Sequence, residues 1–220
     1  MLHRWETLTF LHWSYEPAIV RRLLPPGLEV DEYDERAWVG LVPFRMRIRR
    51  PGLPEVPWVS VFPETNVRTY VRGPDGRTGI WFLSLEAARL GAVLAARTLY
   101  RLPYMWARMT LEARPDLVRY WSRRRWPGPR GARCAVAVVP GEPIEPGALD
   151  HFLTARFRLY GPGLTAVNAE HPPWPLRRAR LLALRDELLE AAGLPTPAGP
   201  PLVHYSDGVD VRIGTRKPLG

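Results

Sequence analysis

The stretch from residue 59 to residue 85 does most to limit what this chain can become. VSVFPETNVRTYV and GIWFLSL flank Gly73-Pro74-Asp75-Gly76. A turn of that composition between two strand-like runs specifies a β-hairpin. Strand signals recur along the chain in WETLTFLHW, LEVDEY, AWVGLVPFRMRI, YMWARMTLEA, DLVRYWSRR, ARCAVAVV, RFRLY, LTAVNAEH, LVHYS and VDVRI, while the proline-rich RRPGLPEVPW reads as a surface loop. Helical spacing is confined to four places. Ser14 is placed to cap a short helix from Pro17 to Leu24, and Ser84 with Glu86 opens LEAARLGAVLAARTLY, which must stop before Pro103. ALDHFLTA is a third helix. PLRRARLLALRDELLEAAG is the longest, with Pro175 in its first turn, Gly193 at its C-cap, and Leu181, Leu184, Leu188 and Ala192 as its apolar stripe. Strands outnumber helices and no regular βα alternation appears. The fold class is therefore α+β with a mainly antiparallel sheet, and residues 1–220 are expected to form a single domain, because no linker separates two self-sufficient halves.

A chain of 220 residues can bury roughly 70% of its unfolded surface and needs no disulfide or metal to hold a core. Its one cysteine, Cys134, sits in an apolar run and reads as a buried, inert thiol. No apolar run approaches the roughly 18 residues that cross a bilayer, and the N-terminus lacks a signal-peptide stretch, so no membrane partner and a cytoplasmic location are expected. The net charge of +9 invites a nucleic-acid reading. Against it, only Lys217 among the 31 basic residues is lysine, and most arginines are scattered among apolar and proline neighbours. The pattern reads as a genome-wide compositional bias, compatible with heat tolerance although lysine and glutamate enrichment is the commoner thermophile signal. The true cluster is Arg123, Arg124 and Arg125, followed by Arg130, beside Trp121 and Trp126. It is either a nucleic-acid contact or a solvated hairpin end.

Side chains two apart in a strand share a face. In PETNVRTYV one face collects Glu64, Asn66, Arg68 and Tyr70; in YMWARMTL it collects Tyr104, Trp106, Arg108 and Thr110; in ARFRLY it collects Arg156, Arg158 and Tyr160. Either these faces meet water or they line a cavity rich in arginine and aromatic rings, suited to a small carboxylate or carbonyl compound. No G-x-S-x-G elbow occurs, and the histidines at 3, 12, 151, 171 and 204 show no metal-ligand spacing. GPGLTA at 161–166 leads into a strand where a dinucleotide loop would open a helix. No cofactor and no metal are expected.

The blocks LLPPGLEVDEYDERAWVGLVPF, FPETNVRTYV, GIWFLSLEA, ARTLYRLPY, FLTARFRLYG and HPPWPL, in this order, resemble the YqjF-like family of uncharacterised bacterial proteins, domain of unknown function 2071. That family is similar in fold to acetoacetate decarboxylase. The resemblance implies that the curved sheet closes into an acetoacetate-decarboxylase-like β-barrel with a pocket inside and a few flanking helices. Acetoacetate decarboxylase works through an imine on a lysine that follows a proline. Here Pro103 is followed by Tyr104 and Met105, and Lys217 lies three residues from the C-terminus. The resemblance therefore implies the pocket without the Schiff-base decarboxylation, and leaves open whether the chain is an enzyme. The leading expectation is a small-molecule site inside the barrel. Glu64 would be its general base, Arg68 and Arg108 would anchor an anion, and Asn66, Tyr70, Tyr104, Trp106, Arg156 and Tyr160 would complete the lining. Two other classes stay open: a structural or interaction module, and nucleic-acid binding through the Arg123–Arg130 segment. A homo-oligomer is compatible with the sequence, which does not locate its interface.

Overall fold

A computed structural model of the chain describes residues 2–49 and 60–219. The expected surface loop at 49–58 lies, apart from Arg49, outside the described residues. The strands are β1 (Leu2–Tyr15), β2 (Glu29–Val30), β3 (Ala37–Arg49), β4 (Val61–Arg72), β5 (Thr78–Ala87), β6 (Tyr104–Arg114), β7 (Leu117–Trp126), β8 (Arg133–Pro143), β9 (Arg158–Gly161), β10 (Thr165–Glu170), β11 (Leu176–Asp186), β12 (Leu202–Ile213) and β13 (Lys217–Pro218). Four short helices accompany them: α1 (Pro17–Arg21), α2 (Leu90–Ala95), α3 (Ala148–Thr154) and α4 (Leu188–Ala191). No helix among the described residues is long and apolar enough to cross a membrane.

All thirteen strands belong to one curved sheet that runs from β13 through β10, β9, β5, β6, β7, β8, β11, β12, β1, β3 and β4 to β2. The closed barrel expected from the family resemblance is corrected by this order, while the pairing is antiparallel except at β5. The sheet ends on two short strands, β13 and β2. It is mixed, because β5 runs parallel to both β6 and β9. It also branches at β5, which pairs with β4 as well. The result is an open, branched sheet that curls over on itself without being a closed barrel.

Much of the curl comes from irregular pairing. The register of β1 against β3 shifts between Glu6 and Leu11, with Thr7 at φ +54°. Opposite this kink lies Gly208, at φ +121°, where an added Cβ would stand 2.1 Å from the Trp5 carbonyl oxygen. Only glycine fits there. The two expected strands on either side of Asp207-Gly208 are therefore one continuous, bent β12.

Alternation then assigns the two sides of the curled sheet. Leu11, Trp13 and Tyr15 of β1, Val39 and Leu41 of β3 and Val67 of β4 pack with Val118 and Tyr120 of β7 and Val136 and Val138 of β8. The residues between them, Leu8 and Phe10, Val42, Phe44 and Met46, and Phe62, turn to a second cluster with Trp174, Leu176 and Val209. This second cluster surrounds the cavity described below.

Two helix expectations fail for tertiary reasons. Residues 176–186 form β11, and only 188–191 are helical. Leu181, Leu184, Leu188 and Ala192 nonetheless all reach the first cluster, as a shared stripe requires. A register shift between Leu181 and Ala183 inserts one residue, exposed Leu182, and so returns Leu181 and Leu184 to the same side of a strand. A bulged strand thus mimics helical spacing. Asp186 receives the Leu188 and Leu189 backbone N–H groups at 3.1 Å, and Gly193 at φ +91° ends the turn. The helix expected from Leu85 begins only at Leu90, because Leu85, Glu86 and Ala87 are held in β5 between β4 and β6. Ser14 caps nothing: α1 starts after Glu16 without a side-chain cap.

Candidate functional site

β4 carries the polar side of the site. From Glu64 to Val71 it is buried on both faces, since β3 and β5 flank it and packed clusters cover it above and below. The residues whose alternation left water or cavity open thus face the interior: Glu64 is 2% exposed, Asn66 6% and Arg68 6%. They edge a cavity of about 490 Å³ whose other walls are overwhelmingly apolar. Val42, Phe44 and Met46 of β3, Ile80, Phe82 and Leu85 of β5, and Trp5 and Trp174 line it. Helix α2 and the π-helical turn that continues it, Ala96–Tyr100, form one further wall through Leu90, Ala92, Ala95 and Leu99.

Glu64 has little around it that favours a charge. Burial pushes its carboxyl up to about 8, and the Tyr104 hydroxyl, which donates to Oε2 at 3.1 Å, offsets this only in part. The same burial, reinforced by the neighbouring carboxyl, pushes the Tyr104 phenol well above its ordinary value. At neutral pH Glu64 is thus mainly a protonated acid and a hydrogen-bond donor, its pKa raised by burial as its expected place in a partly apolar pocket requires. Arg68 is held from behind. Its Nη2 donates to the Leu153 carbonyl at 3.1 Å, and its guanidinium lies 5.5 Å from the Phe10 ring centre and 5.8 Å from that of Tyr70. The Nε of Arg68 and the Oδ1 of Asn66 are buried with no hydrogen-bond partner among the described residues. A donor and an acceptor left unmade in one cavity wall each cost about 1–3 kcal/mol unless a guest or water meets them.

The other expected site residues divide. Tyr104 and Tyr160 line the cavity with the β4 residues; Tyr70, Trp106, Arg108 and Arg156 do not. The Tyr70 hydroxyl donates to the Leu153 carbonyl at 2.7 Å and lies 2.8 Å from His12 Nε2. Burial and nearby Arg68 hold His12 neutral, so its Nε2–H donates to the phenol oxygen. Arg156 pairs with Asp31 at 2.8 Å. Tyr160 donates to the Arg77 carbonyl at 2.7 Å. Arg108 is exposed on β6, away from the cavity, because that strand leaves the fold's interior after Ala107. An anion clamp of Arg68 and Arg108 inside a barrel is therefore corrected on two counts. The sheet is not a barrel, and the two arginines do not share a cavity.

The sequence reading missed the buried pair of Glu86 and Arg124, 2.6 Å apart, which turns the middle arginine of the basic cluster inward. Alternation along Trp121–Arg125 could have signalled it, since Arg124 shares its face with buried Tyr120 and Ser122. Cys134 is buried as expected, and its thiol is pushed well above the ordinary range. Lys217, the one lysine of the chain, is exposed on β13 and does not reach the cavity. Among the described residues no group of three or more His, Cys, Asp or Glu side chains is arranged to hold a metal ion.

Comparison with known proteins agrees with the fold and names no reaction. The family model DUF2071, described as an uncharacterized conserved protein, matches residues 3–210. The uncharacterized protein YqjF of Bacillus subtilis (strain 168) is 36% identical over 216 residues, covering 96% of this chain and 89% of that protein. Among solved structures, an acetoacetate decarboxylase-like enzyme from Sphingomonas wittichii RW1 superposes with a TM-score of 0.69 at 18% identity, over 99% of this chain and 92% of that one. The enduracididine biosynthesis enzyme MppR complexed with pyruvate gives a TM-score of 0.69 at 16% identity, over 100% of this chain and 90% of that one. Acetoacetate decarboxylase from Legionella pneumophila gives 0.63 at 14% identity, over 99% of this chain and 87% of that one. At these identities the structural likenesses establish the fold alone.

Proposed function

This chain belongs to the DUF2071 family of uncharacterized conserved proteins, and from that premise we propose that its cavity binds a small, largely apolar molecule carrying one neutral polar head group, such as a ketone, amide or alcohol. The observation that carries this reading is the strip of Glu64, Asn66 and Arg68 along one wall of a mostly apolar cavity, which His3, Arg89 and Arg216 also edge, with Asn66 Oδ1 and Arg68 Nε enclosed and without a partner among the described residues. A volume of about 490 Å³ falls within the roughly 300–1,000 Å³ of small-molecule sites. A neutral head is favoured over a carboxylate because the mostly apolar walls would strip water from a charge that protonated Glu64 does not balance. The head group would sit against Glu64, Asn66 and Arg68, and the enclosed Asn66 Oδ1 and Arg68 Nε would meet it once their side chains turn toward the cavity. The body would displace water from Val42, Phe44, Phe62 and Phe82.

Thermal unfolding against matched series tests this: 2-ketones and N-methylamides of rising chain length beside carboxylates of equal length. A guest at about 100 times its Kd adds roughly 2.7 kcal/mol and raises the melting temperature clearly. The reading expects stabilisation to rise with chain length for neutral heads, to be weaker for carboxylates at pH 7, and to fall in Asn66→Leu. Stabilisation by short carboxylates alone, or by no compound, would refute it.

A further inference from the structure

A second site lies on the outer face of the sheet, away from the apolar cavity. Arg108 of β6 stands directly across from Arg123 of β7, and Arg123 directly across from Arg133 of β8. Residues paired in this way share a face, and like charges directly opposite repel. Two residues before Arg123, Trp121 shows its ring on the same face. The turn after β7 brings Arg130 and Gly131 to the row, closing a cleft of about 360 Å³ lined by Arg108, Trp121, Arg123, Arg125 and Arg130, with buried Arg124 beneath. No carboxylate lines this cleft, and Arg108, Arg123, Arg125 and Arg130 form no ion pair among the described residues. Arg125 instead lies 5.0 Å from the centre of the Trp106 ring. The one inward arginine of the cluster, Arg124, is the one that has a carboxylate partner.

We propose that this arginine row binds the phosphates of a small polyphosphorylated ligand. Arg108 and Arg123 face each other with no carboxylate in the cleft, so an anion that bridges them is stabilising, while Arg133 at the end of the row already lies near Glu187; planar guanidinium groups match phosphate oxygens two at a time. The size of the row sets the size of the anion. Three residues on adjacent strands span two strand spacings, roughly 10 Å. At one charge per about 3.4 Å of single strand, that length meets on the order of three phosphates. Beyond Arg133 carboxylates enter among the arginines: Glu187 accepts the Arg133 backbone N–H at 3.0 Å and pairs with Arg185 at 2.6 Å, and Glu190 follows. A long nucleic-acid track would run into these carboxylates. A short polyphosphate would not.

Calorimetric titration of inorganic tripolyphosphate into the full chain at low ionic strength tests the site. Arg108→Gln and Arg123→Gln are each expected to weaken binding at least tenfold, while Arg178→Gln, an exposed arginine on β11, leaves it unchanged. Without ligand, the first two variants should melt at or above the wild-type temperature, because each removes a repulsion. Failure of tripolyphosphate to bind, or equal weakening in Arg178→Gln, would overturn the proposal. So would a lower melting temperature in both variants, which would make the row structural. Binding seen only with an oligonucleotide, with a salt slope well above that of three phosphates, would replace the small ligand with a nucleic acid.

Discussion

Replacing Glu64 by glutamine should remove most of the pH dependence that this one carboxyl gives the fold. In the folded chain it ionises near 8; the ordinary value is 4.5. Between these values the folded state holds a proton that the unfolded state has released, so stability falls as pH rises. Below pH 4.5 the contribution is complete, and above 8 it is lost. Linkage puts the loss at about 3 to 4 kcal/mol between pH 5 and pH 8, an upper figure because water entering the cavity would moderate the burial. Glutamine keeps an acceptor for the Tyr104 hydroxyl and cannot ionise, and titrations of all other groups are common to both proteins. Urea unfolding at pH 5, 6, 7 and 8 therefore isolates Glu64 as the difference between the wild type and Glu64→Gln. The wild type should lose about 2 to 4 kcal/mol more than the variant over this range. Parallel pH profiles would refute the claim that Glu64 is held as a neutral acid.

Tyr104→Phe removes the hydroxyl that favours the ionised carboxyl, so Glu64 should titrate still higher, read from the carboxyl carbon signal in a 13C NMR titration. Breaking the buried pair by Arg124→Ala should cost about 3–5 kcal/mol in urea unfolding, whereas Glu86→Leu with Arg124→Met should recover most of it, since the pair's mutual attraction largely offsets its own desolvation. Gly208→Ala should lower stability by more than about 1 kcal/mol, because the left-handed backbone and the Trp5 carbonyl both exclude a Cβ; thermal melting checks it.

The hairpin of β4 and β5 was legible because the turn and the flanking alternation agree, and nothing distant overrides them. Alternation also grouped Glu64, Asn66 and Arg68 correctly on one face. It could not tell that the face is interior, because burial of β4 depends on β1, β3 and β5 closing around it from distant parts of the chain. The same limit explains Arg108. Two-residue spacing places it with Tyr104 and Trp106, but β6 passes from interior to surface along its length, so one face of one strand spans two environments. The stripe on residues 181–192 misled for the opposite reason. A bulge at Leu182 gives a strand the spacing of a helix, and bulges are set by the partner strand rather than by local sequence. The open form of the sheet was equally invisible. Strand order, branching at β5 and the parallel pairs of that strand are properties of long-range pairing, and the family resemblance carried the barrel expectation past what the periodicity supports.

Isothermal calorimetry with 2-octanone, on the wild type, Asn66→Leu and the cavity-filling Leu85→Trp, tests the site as a whole. The account predicts binding with a negative heat-capacity change from buried apolar surface, weakened at least tenfold in Asn66→Leu and lost in Leu85→Trp while that variant still unfolds cooperatively. Equal affinity in the wild type and in a folded Leu85→Trp would place the ketone elsewhere. It would contradict the assignment of this cavity as the ligand site.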